Sequence, residues 1–194
     1  MSKKILVIDG HPDPDPGRFV HALAGAYAAG AERAGHEVSR IEVASLDFDF
    51  LRSAEDWMKA APSSLKGAQA AVAEAEHLVF VYPLWLGAMP ALLKGFLEQI
   101  SAGGAMIEAK EGGKSWEQKM KGKSARVIVT MGMPSAVYRL YFGAHSLKSF
   151  ERNMLKFSGA NPVYDTIIGM VDALGDKGRK RVIERIEKLG EAAR

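Results

Sequence analysis

KILVIDGHPDPDPGRFVHALAGAYAAG, residues 4–30, is the stretch that decides the fold. It opens with a short apolar run, 4–8, that stops at Asp9 and Gly10, the pattern of a strand buried on both faces. Pro12, Pro14 and Pro16 then exclude a helix across 10–17. After Arg18 the spacing changes: Phe19, Leu23 and Ala26, with Val20 and Tyr27 beside them, mark one face of a helix running to Gly35. A buried strand, a rigid loop and a helix, in that order, open a βαβ unit.

The same alternation continues along the chain. Residues 36–43 read as a second strand, with Val38, Ile41 and Val43 alternating imperfectly. Residues 46–62 are irregular and carry Phe48, Phe50 and Trp57. An alanine-rich helix is expected over 64–76, a buried strand (HLVFVY) over 77–82 and a helix over 90–100. Residues 101–122, rich in Gly and Lys, read as an excursion loop. A fourth strand (SARVIVT) is expected over 124–130, a helix over 145–157, a fifth strand within 162–169 and a last helix over 177–193. Strands alternating with helices imply right-handed crossovers and a parallel α/β sheet covered on both faces. With no linker or internal repeat, residues 1–194 read as one domain. The simplest strand order is 2-1-3-4-5, which places a ligand crevice at the carboxyl ends of strands one and three.

Composition narrows the chemistry. Apolar residues make up 47% and charged residues 25% of 194, enough apolar material for a core. With no cysteine, disulfides, thiolate metal sites and a cysteine nucleophile are excluded. The N-terminus lacks the apolar stretch of a signal peptide, and no run approaches the roughly 18 apolar residues of a membrane span; a cytoplasmic protein is expected. The net charge of +3 is small, and no nucleic-acid module is present, so nucleic acid is not an expected partner.

Function is expected in the loops after strands one, three and four. The first, 10–19 (GHPDPDPGRF), opens a helix whose free N–H groups favour a phosphate, with His11 and Arg18 as further donors. Asp13 and Asp15 would repel a phosphate if they pointed inward. It is neither a Walker loop nor G-x-G-x-x-G. The second, 83–90 (PLWLGAMP), is apolar and bracketed by prolines. Leu84, Trp85 and Leu86 suit the border of a flat aromatic ring, and the N–H groups of Leu86 and Gly87 suit its polar edge; packing of Trp85 and Met89 into the core is the alternative. In the third, 130–145 (TMGMPSAVYRLYFGAH), Gly132 admits close backbone approach, and Tyr138 and His145 can donate or relay a proton.

Together these loops resemble the flavodoxin-like NAD(P)H:quinone oxidoreductases of the DT-diaphorase type, a family that includes ancillary subunits of potassium-efflux systems. The resemblance rests on His11 and Phe19; on Pro83-Leu84, Gly87, Pro90-Ala91 and Leu93-Lys94-Gly95; and on Thr130, Gly132, Tyr138 and Gly143-x-His145. It implies an enzyme in which His11, Arg18 and Phe19 hold the phosphate of FMN or FAD. Pro83, Leu84, Trp85, Leu86, Gly87, Thr130, Met131 and Gly132 would then border the flavin ring, with Tyr138 and His145 assisting hydride transfer and Tyr141 as substitute for Tyr138. It implies NAD(P)H as co-substrate, a quinone-like acceptor, ping-pong turnover, no metal, and a homodimer closed by Phe48, Phe50, Trp57, Tyr141 and Phe142. The chain departs from the family in having Trp85-Leu86 where Gln-Trp is common, Arg18 where Ser or Thr is common, one extra residue before Gly143, and Trp116 as the only aromatic of the excursion. Two alternatives share the fold: a flavin-binding regulatory subunit docked peripherally on a membrane transporter, and a one-electron carrier. A phospho-receiver domain is excluded by Tyr82-Pro83, where an aspartate would be needed.

Overall fold

A computed structural model describes residues 2–110 and 115–194. Strand β1 (Lys4–Asp9) leads through the proline loop into α1 (Phe19–Arg33) and back to β2 (Glu37–Glu42). A five-residue helix, α2 (Ala54–Met58), interrupts the irregular stretch before α3 (Lys66–Glu74). Next come β3 (His77–Pro83) and α4 (Ala91–Ser101), then a small antiparallel pair, β4 (Ile107–Ala109) and β5 (Trp116–Gln118). Strand β6 (Ser124–Thr130) is followed by two short helices, α5 (Ser135–Leu140) and α6 (His145–Ser149). The latter continues as a π-helical turn over Phe150–Lys156. Strand β7 (Val163–Ile168) and helix α7 (Gly175–Glu191) end the order.

The main sheet is parallel throughout, in the order β2-β1-β3-β6-β7, which is 2-1-3-4-5 among its five strands. All seven residues of the central β3 are buried, which is why its sequence shows no alternation. Alternate residues of the strands feed two cores. Leu6, Phe80 and Tyr82 join Phe96 and Phe150 on one face; Ile5, Val7 and Val79 join Leu23, Tyr27 and Ile186 under α1 and α7 on the other. Helices α1 and α7 touch backbone to backbone. A Cβ on Gly30 would lie 2.0 Å from the Glu187 carbonyl oxygen, and one on Gly190 would lie 2.1 Å from that of Tyr27.

Two segments differ from the sequence expectation. Residues 101–122 hold the β4–β5 pair, whose three-residue strands are too short for a period to register. Residues 130–145 contain α5, which starts directly behind Pro134, a residue whose fixed φ suits a helix start. At the amino edge of the sheet, His77 is fully buried between Tyr27 and Ser124. Its Nε2 is 2.9 Å from the Tyr27 hydroxyl and its Nδ1 2.7 Å from Ser124 Oγ. Burial, with Lys3, Arg126 and His36 nearby, pushes its pKa down to about 3, so the ring is neutral.

Candidate functional site

The loop after β1 is held by its own acids. The Asp15 N–H donates to Asp13 Oδ1 at 3.0 Å, and the Gly17 N–H donates to Asp15 Oδ1 at 2.9 Å. Arg18 grips Asp13 through Nε at 2.8 Å and Nη2 at 2.6 Å, and lies 3.5 Å from Asp15. The two carboxylates that threatened to repel an anion are therefore turned into the loop. The Asp15 N–H, with Arg18, also holds the Asp13 carboxyl below its ordinary pKa. The Asp13 N–H lies 3.0 Å from His11 Nδ1, and burial lowers the His11 pKa, leaving a neutral ring set edge-on to Trp85 at 5.9 Å.

Helix α1 opens directly from this loop. Among the described residues no side chain caps it, and its first turn contains no acid. Its free N–H groups and positive dipole end suit an anion. They border a pocket of about 300 Å³ at the carboxyl edge of the sheet, where His11, Arg18, Phe19, Pro83, Trp85 and Thr130 meet. Six residues predicted from three separate loops thus converge. Val171, Asp172 and Arg179 complete the wall. Arg179 lies 5.0 Å over the Phe19 ring, a cation at the lip of the pocket beside Asp172. A larger hollow of about 430 Å³ is floored by Asp49, Arg52, Asp56 and Lys59, where Lys59 is already paired with Asp56.

The loop after β3 closes on itself. Trp85 and Ala88 exchange N–H to carbonyl bonds of 2.9 Å in both directions. The two residues between them, Leu86 and Gly87, have φ of 47° and 77°, the signature of a type I′ turn. Glycine adopts that φ freely, but leucine does so only with strain. Leu86 is fully exposed and Trp85 half-exposed, so Trp85 is not core. Leu84 packs against the core and donates its N–H to the Thr130 carbonyl at 2.7 Å, tying the second loop to the third.

Of the residues that the sequence reading singled out in the third loop, Thr130 lines the pocket, and Met131, Gly132, Tyr138, Tyr141 and His145 do not. Met131 is buried; its N–H donates to Ile168 and its carbonyl accepts from Val171, so Gly132, beside Asp172, is the residue left at the surface. Tyr138 is 2% exposed, its hydroxyl 2.8 Å from Ser146 Oγ and accepting the Leu147 N–H. It fastens α5 to α6 and is absent from the pocket wall. His145 is exposed at the start of α6 against Gly143, and Tyr141, at the end of α5, is 82% exposed. Phe48, partly buried, packs on Phe96. The sequence reading missed Asp172 and Arg179, although the loop after the last strand ends at this same sheet edge.

The donor set fits a flavin nucleotide: a free helix N-terminus and Arg179 for a phosphate, and a half-exposed Trp85 with a tight backbone turn for a flat ring. Among the described residues no helix is long and apolar enough to cross a membrane.

A family model for the flavodoxin-like fold matches residues 3–190. An uncharacterized NAD(P)H oxidoreductase of Haemophilus influenzae is 24% identical over 184 residues, covering 92% of this chain and 90% of that protein. The structure of an NAD(P)H:quinone oxidoreductase from Methanothermobacter marburgensis superposes with a TM-score of 0.85 at 21% identity, covering all of both chains. An FMN-dependent NADH-azoreductase from Bacillus anthracis, in complex with FMN, superposes with a TM-score of 0.75 at 14% identity over 99% of each chain.

Proposed function

The chain belongs to the flavodoxin-like family, and from that premise we propose that it binds a flavin nucleotide and passes hydride from NAD(P)H to a quinone-like acceptor. The observation that carries the proposal is convergence: the open end of α1, Arg179 and Trp85, from three different parts of the chain, meet at one pocket. The names of the Haemophilus and Methanothermobacter proteins and the FMN of the Bacillus azoreductase support the same reading.

In this proposal the α1 amides, His11 and Arg179 hold the phosphate. Arg18 keeps Asp13 and Asp15 away from it. Pro83, Leu84, Trp85 and the 86–87 turn border the ring on one side, and Thr130 and Gly132 on the other. FMN is the first choice over FAD, because no adenosine site is readable in the sequence. Bound flavin supplies the hydride chemistry; the protein supplies orientation and electrostatics. His145 and the exposed Tyr141 are the donors proposed to steady charge on the acceptor, while Tyr138 holds the corner that carries them.

We further propose a cytoplasmic, single-domain enzyme acting as a homodimer. Tyr141, Phe142, Leu140 and Leu86 leave large apolar side chains exposed, and a two-fold partner would cover them. One open ring face admits one stacked partner at a time, so NAD(P)H and acceptor take turns. Steady-state kinetics with a soluble quinone are expected to give parallel double-reciprocal lines. Intersecting lines would contradict shared use of one face.

A further inference from the structure

Beneath the phosphate loop lie two titratable groups that the proposed chemistry leaves unused. Asp9 ends β1 and is 1% exposed; His21 sits in the first turn of α1 with its side chain 14% exposed. The imidazole reaches in two directions. Nδ1 is 2.6 Å from Asp9 Oδ2, and Nε2 is 2.9 Å from the Asp13 carbonyl oxygen. A carboxylate and a carbonyl both accept and neither donates. A neutral imidazole, with one N–H, leaves one of the two contacts without a proton; the imidazolium makes both. The other Asp9 oxygen accepts the His11 N–H at 3.2 Å. Asp9 therefore holds the first residue of the cradle, and His21 holds its third.

We infer that Asp9 and His21 are positioning residues of the phosphate cradle: a buried carboxylate–imidazolium clamp that shapes residues 11–13 for a phosphoryl group and releases them when His21 loses its proton. This rests on the flavin reading above and deepens it. The charged and titratable groups facing His21 are Asp9 from β1, Glu42 from β2, His11 and Asp13 from the loop, and Arg18 at the head of its own helix. Burial opposes charging the ring, but Asp9, the Asp13 carbonyl and Glu42 outweigh it and hold His21 above its ordinary 6.5. Loss of that proton strands a buried carboxylate without its counter-ion and removes a positive charge from beneath the phosphate loop, leaving the Asp9 charge uncompensated. Grip on a phosphate should weaken as pH rises through the His21 pKa.

FMN and riboflavin, which differ only in the phosphate, test this on the intact protein and on His21→Gln. Between pH 7 and 9 a phosphate monoester is already largely dianionic, its second pKa being about 6, so its own titration does not interfere. The wild-type Kd for FMN is expected to weaken by about fivefold or more across that range, the lower end of ordinary coupling between sites. Riboflavin binding should stay constant, and His21→Gln should flatten the FMN response. By reciprocity, the NMR-measured His21 pKa should exceed 6.5 in the free protein, rise with FMN and stay put with riboflavin. A His21 pKa at or below 6.5, or FMN binding with no such shift, overturns the clamp while leaving the flavin reading intact. Binding of neither flavin overturns both. Should His21→Gln fail to fold, the wild-type titrations with the two flavins decide alone.

Discussion

Acid should weaken this fold through one histidine at the sheet edge opposite the pocket. His77 is buried, neutral and bonded to Tyr27 and Ser124, with its pKa near 3 against an ordinary 6.5. The unfolded chain therefore binds a proton below pH 6.5 that the native state refuses. Its contribution is fully present above 6.5 and is lost as pH falls toward 3. The full span of about 3.5 units corresponds to roughly 5 kcal/mol at 1.36 kcal/mol per unit, and by pH 5 about 2 kcal/mol of it is gone. His21, whose pKa is raised, acts in the opposite sense, its contribution being lost as pH rises above 6.5, and His11, whose pKa burial lowers, acts in the same sense as His77, so it is the difference between wild type and His77→Gln that isolates His77. The assay is urea unfolding of wild type and His77→Gln between pH 5 and 7.5, followed by the fluorescence of the three tryptophans. The stability difference between the two proteins should shrink by about 2 kcal/mol on going to pH 5. A difference constant across that range would refute the reasoning and show that His77 is solvated or charged in the native state.

Three further substitutions probe the packing and the third loop. Gly190→Ala places a Cβ 2.1 Å from the Tyr27 carbonyl oxygen, and because that contact is backbone it should cost about 3 kcal/mol in urea unfolding despite the better helix propensity of alanine. Tyr138→Phe should lower stability by about 1–2 kcal/mol, through loss of the hydroxyl's bonds to Ser146 and Leu147, with flavin reduction by NAD(P)H near the wild-type rate. Tyr141→Phe should keep its stability and slow reduction about tenfold in stopped-flow; the reverse pattern would return the donor role to Tyr138.

The three inner strands were legible because parallel strands buried on both faces are written as unbroken apolar runs, KILVI, HLVFVY and ARVIV, whereas the edge strands β2 and β7, only partly covered, are read from imperfect alternation and from their place between helices. Strands β4 and β5, three residues each with the sequences IEA and WEQ, carry no period to read. The candidate pocket was legible as three loops, since strand order alone brings their ends together. Side-chain direction was not. Tyr138 lies in α5 and Tyr141 just past its end, three residues apart, and only the tertiary contact with Ser146 decides which of them is buried. Asp13 and Asp15 read as a liability for an anion site until Arg18 and the loop's own N–H groups are seen to absorb them. Arg179 was hidden by its distance in sequence, and Asp9 by its place at the end of a strand that reads as pure core.

The central claim is that the carboxyl edge of this sheet holds a flavin nucleotide by its phosphate. Calorimetric titration with FMN of the wild type and of Arg179→Gln, after removal of any co-purified flavin, tests it most directly. Saturable one-to-one binding is expected, weakened about tenfold by loss of the Arg179 charge, which is about 1.4 kcal/mol. Absence of FMN binding in the folded wild-type protein would contradict it.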